Sequence, residues 1–160
     1  MEAIYKNFFR DKNNSDPILK ALEKVPIFEN LSDKELKNIA QLTHEREYKS
    51  TEYVFKKHAP AEGMYVILEG NIEIKDPESE KIFAKLHSGD FFGELALLDE
   101  EPRSASAICT VPSRLIGFFR TDLLTLINRY PELGNKILLN LSRVLGERLR
   151  ETNKNIIKSK

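Results

Sequence analysis

Between Thr43 and Phe119 the chain is a succession of short β-rich runs separated by turn signals, and no other feature limits the fold as much. The runs are Tyr53–Phe55, Met64–Leu68, Ile72–Ile74, Ile82–Leu86, Ala105–Thr110 and Leu115–Phe119. Between them lie Glu69-Gly70-Asn71, Asp76-Pro77-Glu78-Ser79, Ser88-Gly89-Asp90 and Val111-Pro112-Ser113. These residue types tolerate positive φ, preset φ, or bond to their own backbone, so each cluster reverses the chain. Short strands joined this tightly leave little room for crossover helices. They predict an antiparallel double-sheet roll or small barrel.

Both flanks change to helical spacing. Asp16-Pro17 reads as an N-cap and first helical position, opening a short helix through Ile18, Leu19, Ala21 and Leu22 that Pro26 ends. Ser32 and Glu35 stand at capping-box spacing before Leu36, Ile39 and Ala40. Ahead of Asp16 the chain is polar and Asn-rich after Phe8-Phe9, with only a weak pattern. Beyond Phe119, Thr121-Asp122 caps a helix carrying Leu123, Leu124, Leu126 and Ile127, and Tyr130-Pro131 breaks it. A longer helix then carries a wide stripe of Leu133, Ile137, Leu138, Leu141, Val144, Leu145 and Leu149, with Asn140, Arg143, Glu147 and Arg150 largely opposite. The chain is expected to fray from Asn153 onward. The expected organisation is one domain, 1–160: a helical segment 1–42, a β-roll 43–119, and C-terminal helices 120–160. The fold class is mainly β with flanking helices.

Composition removes several functional classes. The chain's 25 Lys+Arg balance 25 Asp+Glu, so no global field concentrates nucleic acid or acidic lipid around it. Cys109, the one cysteine, can form neither an internal disulfide nor a cysteine-rich zinc site. Met1-Glu2-Ala3-Ile4-Tyr5-Lys6 lacks the apolar core of a signal peptide, and charges interrupt every stretch approaching membrane-spanning length. The expectation is a cytoplasmic chain without a membrane partner. His44, His58 and His87 lack the close His pairing of a metal-dependent β-barrel enzyme. Nucleophile elbow, P-loop and dinucleotide fingerprint are all missing, so the chain is read as no enzyme.

One stretch departs from the strand pattern: Phe91-Phe92-Gly93-Glu94-Leu95-Ala96-Leu97-Leu98-Asp99-Glu100-Glu101-Pro102-Arg103-Ser104-Ala105. Glu94 to Leu98 favours a helix, with room for little more than a turn. The first amides of such a helix have no partner inside it and attract anions. Gly93 stands at that opening, where a missing side chain admits a ligand to the main chain. Arg103, ten residues after Gly93, can reach back and offer a fork of donors to the same anion. Glu94 would repel a phosphate unless it served another group. A 3′,5′-cyclic nucleotide has one free sugar hydroxyl, the 2′-OH, which a carboxylate accepts. The bland alternative for Glu94 and Arg103 is a solvent-exposed ion pair, and for Ser104 a strand-start hydroxyl bonded to nearby backbone.

Phe92-Gly93-Glu94-Leu95-Ala96-Leu97-Leu98 followed by Pro102-Arg103-Ser104-Ala105 resembles the phosphate-binding cassette of the cyclic-nucleotide-binding domain family. That family includes bacterial catabolite activator proteins and regulatory subunits of cyclic-AMP-dependent protein kinase. Gly63-Met64-Tyr65-Val66-Ile67-Leu68-Glu69-Gly70 resembles the hairpin strand that precedes the cassette. The resemblance implies a jelly-roll-like β-roll with C-terminal lid or dimerisation helices and a cassette at 91–105. It also implies ligand contacts at Gly93, Glu94, Leu95, Ala96, Arg103, Ser104 and Ala105. Glu94 would hold the ribose, Arg103 the phosphate, and the amides of residues 93 to 96 the cyclic phosphate. Ser104 is compatible with cyclic AMP and cyclic GMP, with cyclic AMP favoured. The turns at Ser50-Thr51 and His58-Ala59 lack the glycines many members place there. The stripe from Leu133 to Leu149 packs on the roll or meets a second copy through residues 131–150. Arg148 and Thr152 interrupt a strict heptad, so no long coiled coil is expected. Few residues follow that helix where activator proteins carry a DNA-reading motif. The chain is therefore expected to be a stand-alone sensor or regulatory subunit acting through an effector protein, with no cofactor beyond its ligand. The alternative is a nucleotide-free interaction module of the same fold.

Overall fold

A computed structural model describes residues 16–159. The Phe8-Phe9 stretch lies outside the described residues. Helix α1 (Pro17–Glu23) opens where the Asp16 side chain accepts the Ile18 amide at 3.0 Å, with Pro17 inside the first turn. It ends at Glu23, before Pro26, which instead opens a short 3-10 turn, Pro26–Phe28. Helix α2 (Asp33–Ala40) carries both halves of the Ser32–Glu35 capping box, at 3.2 and 2.8 Å.

Eight strands follow: β1 (His44–Tyr48), β2 (Tyr53–Phe55), β3 (Gly63–Glu69), β4 (Asn71–Lys75), β5 (Ile82–His87), β6 (Phe91–Phe92), β7 (Ser106–Cys109) and β8 (Ser113–Phe119). They form two four-stranded antiparallel sheets, ordered β1-β8-β3-β6 and β2-β7-β4-β5. The result is an open double-sheet roll, not a closed barrel. Strands β1 and β6 escaped the sequence pattern for physical reasons. Strand β1 is an edge strand that buries only Tyr48, so it shows no alternation, and β6 is two residues long. The glycine-free turns keep the left-handed geometry that glycine favours, with φ of 67° at Thr51 and 68° at His58. The Thr51 amide holds Cys109 O at 2.7 Å and the His58 amide holds Arg103 O at 2.8 Å, anchoring both turns.

Two cores result. Tyr48, Ile67, Ile72, Phe92, Ala107 and Leu115 fill the space between the sheets. A larger cluster joins the outer face of the first sheet to the helices, through Leu22, Phe28, Ile39, Met64, Phe118, Leu123 and Ile137. Helix α3 (Arg120–Arg129) is capped from within, because Asp122 Oδ2 accepts the Phe119 amide at 2.9 Å. Helix α4 (Pro131–Lys158) follows the break at Tyr130. Gly134 lets α4 approach α3 closely; a Cβ there would meet Ile127 Cγ1 at 2.7 Å.

Three expectations for α4 are corrected. It runs helical to Lys158 and does not fray from Asn153, because polar Glu, Arg and Lys propagate a helix well and no Pro or Gly interrupts residues 147–158. Asn140 lies on the buried side, where its amide donates to Ile27 O at 3.2 Å and Glu29 O at 2.9 Å. Leu149 is 61% exposed, since burial stops at Val144. Among the described residues no helix is long and apolar enough to cross a membrane.

Candidate functional site

Strand β6 delivers the chain to Gly93, whose φ of 77° turns it into a 3-10 helix, Glu94–Leu97. A cavity of about 550 Å³ opens beside this turn. Phe55, Ile74, Ala84, Leu86 and Phe91 form its apolar wall, and Glu94, Asp99, Glu101, Arg103, Ser104 and Arg148 its polar side chains. All seven residues singled out from the sequence line it: Gly93, Glu94, Leu95, Ala96, Arg103, Ser104 and Ala105.

Arg103 is only 7% exposed. Its backbone is clamped to the 58–59 turn, with its amide on Ala59 O at 3.0 Å. Its guanidinium carbon lies 4.0 Å from the centroid of the Phe55 ring. Nη2 donates to Gly63 O at 2.6 Å, Nη1 makes a long 3.4 Å contact with Gly93 O, and Nε is buried without a partner. No carboxylate pairs with it among the described residues. Burial draws its pKa below the ordinary arginine value, while Tyr65, Glu62 and Glu94 pull it back up. A desolvated cation held by carbonyl oxygens and an aromatic face is short of negative charge, the condition under which an anion binds well. Gly93 keeps the space open, because a Cβ there would meet Arg103 Nη1 at 2.7 Å.

Glu94 is 4% exposed. Arg148 Nη1 donates to its Oε1, and its Oε2 is buried with no partner. The exposed Glu94–Arg103 pair weighed from the sequence is thus replaced by two buried groups with separate surroundings. Each has one hydrogen-bonding atom unspent. The spare atoms differ in kind: Arg103 Nε donates and Glu94 Oε2 accepts, as a phosphate and a hydroxyl require.

The remaining residues divide. The Ala96 amide closes the first 3-10 bond, to Gly93 O at 3.2 Å, so only Gly93, Glu94 and Leu95 keep amides at the free opening of the turn. Leu95 is exposed and Ala105 nearly buried. Ser104 is exposed at the rim, and the buried strand-start hydroxyl is that of Ser106, which accepts the Lys57 amide at 2.8 Å.

One cavity residue, Arg148, and one residue that braces the cassette, Arg120, escaped the sequence reading. Arg148 reaches the cavity from α4, its guanidinium carbon 4.9 Å from the Phe91 ring centroid. A signal was present: Ile137, Leu141 and Val144 are buried, and the same helical face next presents residue 148, an arginine where an aliphatic residue was due. Arg120, first in α3, sends Nη1 to Ala61 O, Ala96 O and Asp99 O at 3.2, 3.0 and 2.6 Å. It ties the start of the C-terminal helices to the far end of the cassette helix. Nothing in local spacing announces that bond.

The cassette of this antiparallel roll brings a buried arginine, a buried glutamate and a glycine-opened turn to one cavity, a set of groups able to take an anion and a hydroxyl. Residues 45–130 match the family model for the cyclic nucleotide-binding domain. The chain belongs to the cyclic nucleotide-binding domain family. It is similar to the cyclic AMP receptor protein of Thermus thermophilus, 32% identical over 79% of this chain and 58% of that protein. It is also similar to the cAMP-dependent protein kinase regulatory subunit of Mycosarcoma maydis, 38% identical over 65% of this chain and 18% of that subunit. The chain therefore spans less than two thirds of the length of either relative. Among solved structures, a cyclic nucleotide-binding domain from Methylobacillus flagellatus superposes with a TM-score of 0.75 and 28% identity, covering 90% of this chain and 83% of that one.

Proposed function

We propose that this chain is a cytoplasmic sensor that binds a 3′,5′-cyclic nucleotide, cyclic AMP in preference to cyclic GMP, and regulates an effector protein without catalysing a reaction. The observation that carries the reading is that two buried residues lining one cavity, Arg103 and Glu94, each keep a side-chain atom without a partner among the described residues, a donor at Arg103 Nε and an acceptor at Glu94 Oε2. Arg103 and the amides at Gly93, Glu94 and Leu95 take the cyclic phosphate, and Glu94 takes the 2′-OH. The apolar wall of Ile74, Ala84 and Leu86 suits the flat face of a base. Ser104, at the rim, is compatible with either purine, and its lack of a γ-methyl favours cyclic AMP only mildly.

Ligand binding orders the cassette, and the change passes to α3 and α4. Leu97, buried in one cluster with Leu123 and Ile127, and Arg120 support this route. Leu95 and Leu98, both exposed, are less suited to it. Of the stretch 131–150 expected to meet a second copy, Leu133 to Val144 carry the residues buried on the roll, so the exposed part of α4 beyond Val144 is what is offered to a second copy. Comparative calorimetric titration of cyclic AMP and cyclic GMP tests the reading: saturable binding of one ligand per chain, tighter for cyclic AMP, is expected. Native mass spectrometry showing no bound nucleotide, together with silence in both titrations, would favour the nucleotide-free interaction module.

A further inference from the structure

Strand β2 slips against its neighbour at one point. Tyr53 pairs with Ile108 and Phe55 with Ala107, so an extra residue of β2 stands against β7. A bulge of this kind bends the strand and re-aims the side chain beside it, and Phe55 lines the cavity. Two further rings brace Phe55. Its centroid lies 6.0 Å from that of Tyr65 and 5.8 Å from that of Phe92, and those two are 5.6 Å apart. The Arg103 guanidinium carbon lies over the Phe55 ring, 4.0 Å from its centroid, and 6.0 Å from that of Tyr65. Among the described residues this buried cation is held by carbonyl oxygens and rings, with no carboxylate in an ion pair with it.

We infer that Phe55 is a positioning residue for anion recognition, resting on the nucleotide reading above: its ring face orients the Arg103 guanidinium toward the cyclic phosphate, in the place where a carboxylate counter-ion would otherwise stand. A carboxylate would hold the fork firmly but would compete with the incoming phosphate for its charge and its N–H donors. A ring face attracts the cation through its quadrupole, accepts none of the in-plane N–H groups and leaves the net charge whole. The edge of the guanidinium is divided accordingly. Nη2 donates to Gly63 O at 2.6 Å, Nη1 reaches Gly93 O at 3.4 Å, and Nε keeps no partner among the described residues. The ring sets the plane of the fork and the carbonyls set its rotation within that plane. Together they fix its direction without neutralising it. An aliphatic side chain at residue 55 would fill the space but exert no such pull on a cation.

The test is NMR titration of the full chain and its F55L and F55Y variants with cyclic AMP up to millimolar concentration, repeated for F55L in an Arg103→Gln background. F55L is expected to weaken cyclic AMP binding on the order of tenfold, and F55Y, which keeps the ring face, to restore most of it. Before any ligand is added, the ring current should hold the Arg103 Nε–H upfield in the parent chain and in F55Y, and F55L should release it. With the charge removed by Arg103→Gln, the loss caused by F55L should shrink to about twofold or less, because the ring then has no cation to orient. An equal loss in both backgrounds would show that the ring acts on the ligand or on the fold rather than through Arg103, and would overturn the role. So would F55L binding cyclic AMP as well as the parent chain, or an Arg103 Nε–H resonance that F55L does not move. A parent chain silent toward both cyclic AMP and cyclic GMP would instead overturn the nucleotide reading itself, and this role with it.

Discussion

Arg103 is a guanidinium folded into the protein with no carboxylate paired to it among the described residues, and the site's chemistry follows from that imbalance. Arg103→Ala is expected to cost about 2–5 kcal/mol of cyclic AMP binding, read by titration calorimetry, because it removes the charged partner of a desolvated phosphate. Unchanged affinity would remove Arg103 from the site. That Glu94 and Arg103 would meet at one site was legible in the sequence, since a carboxylate beside an anion site needs a separate task, and the structure brings both to one cavity. Their burial was not legible. It depends on Phe55 and Gly63, which reach Arg103 from β2 and β3. Arg148 was harder still, because its meaning appears only when α4 is laid against the cassette 54 residues earlier.

At the scale of elements, the capping signals and prolines marked helix starts well because they act through neighbours in sequence. Strands β1 and β6 were hidden because their stability comes from partners far along the chain, and the length of α4 because its exposed last turns rest on helix propensity without a buried stripe to mark them. Asn140 is the clearest case: a polar residue on a helix face reads as solvent-facing until the Pro26–Phe28 turn docks against it. Asn140→Ala leaves two carbonyls short of a donor and is expected to lower stability by about 1–3 kcal/mol, seen as a fall in the urea midpoint. A second contact between elements carries a pH signature. Lys57 Nζ binds Asp76 Oδ1 at 2.9 Å, joining the chain just after β2 to the turn after β4. Hydrogen bonds from Lys57 and then Ser79 hold the Asp76 carboxyl down to about 2. A carboxylate depressed in the folded state contributes its stability above the unfolded value, near 3.9, and loses it as pH falls toward the folded one. Carboxyl NMR should place the Asp76 midpoint near 2 in the parent chain and nearer the ordinary aspartate value in Lys57→Met. An unmoved midpoint would show that Lys57 is not its partner in solution.

The whole molecule is a roll with one arm. Helix α4 buries residues from Leu133 to Val144 and then continues to Lys158 with Leu149, Ile156 and Ile157 at 61, 54 and 73% exposed. A helix of 28 residues is about 42 Å long, more than a roll of this size can cover. The wide stripe was visible in the sequence, but its division between roll and arm was not, because both halves share one period. If the arm meets a second copy, sedimentation velocity should show concentration-dependent dimers that Leu149→Glu reduces to monomers. The melting temperature at low concentration should stay the same, since the side chain is already exposed. Both assemblies and monomers depend on the same roll, and the central claim concerns what the roll holds. The most direct measurement is a proton–nitrogen NMR spectrum of the full chain as cyclic AMP is added. The amides of Gly93, Glu94 and Leu95 and the Arg103 Nε–H are predicted to shift together and furthest, saturating at one ligand per chain. Shifts confined to other surfaces, or a spectrum that does not change, would contradict the account.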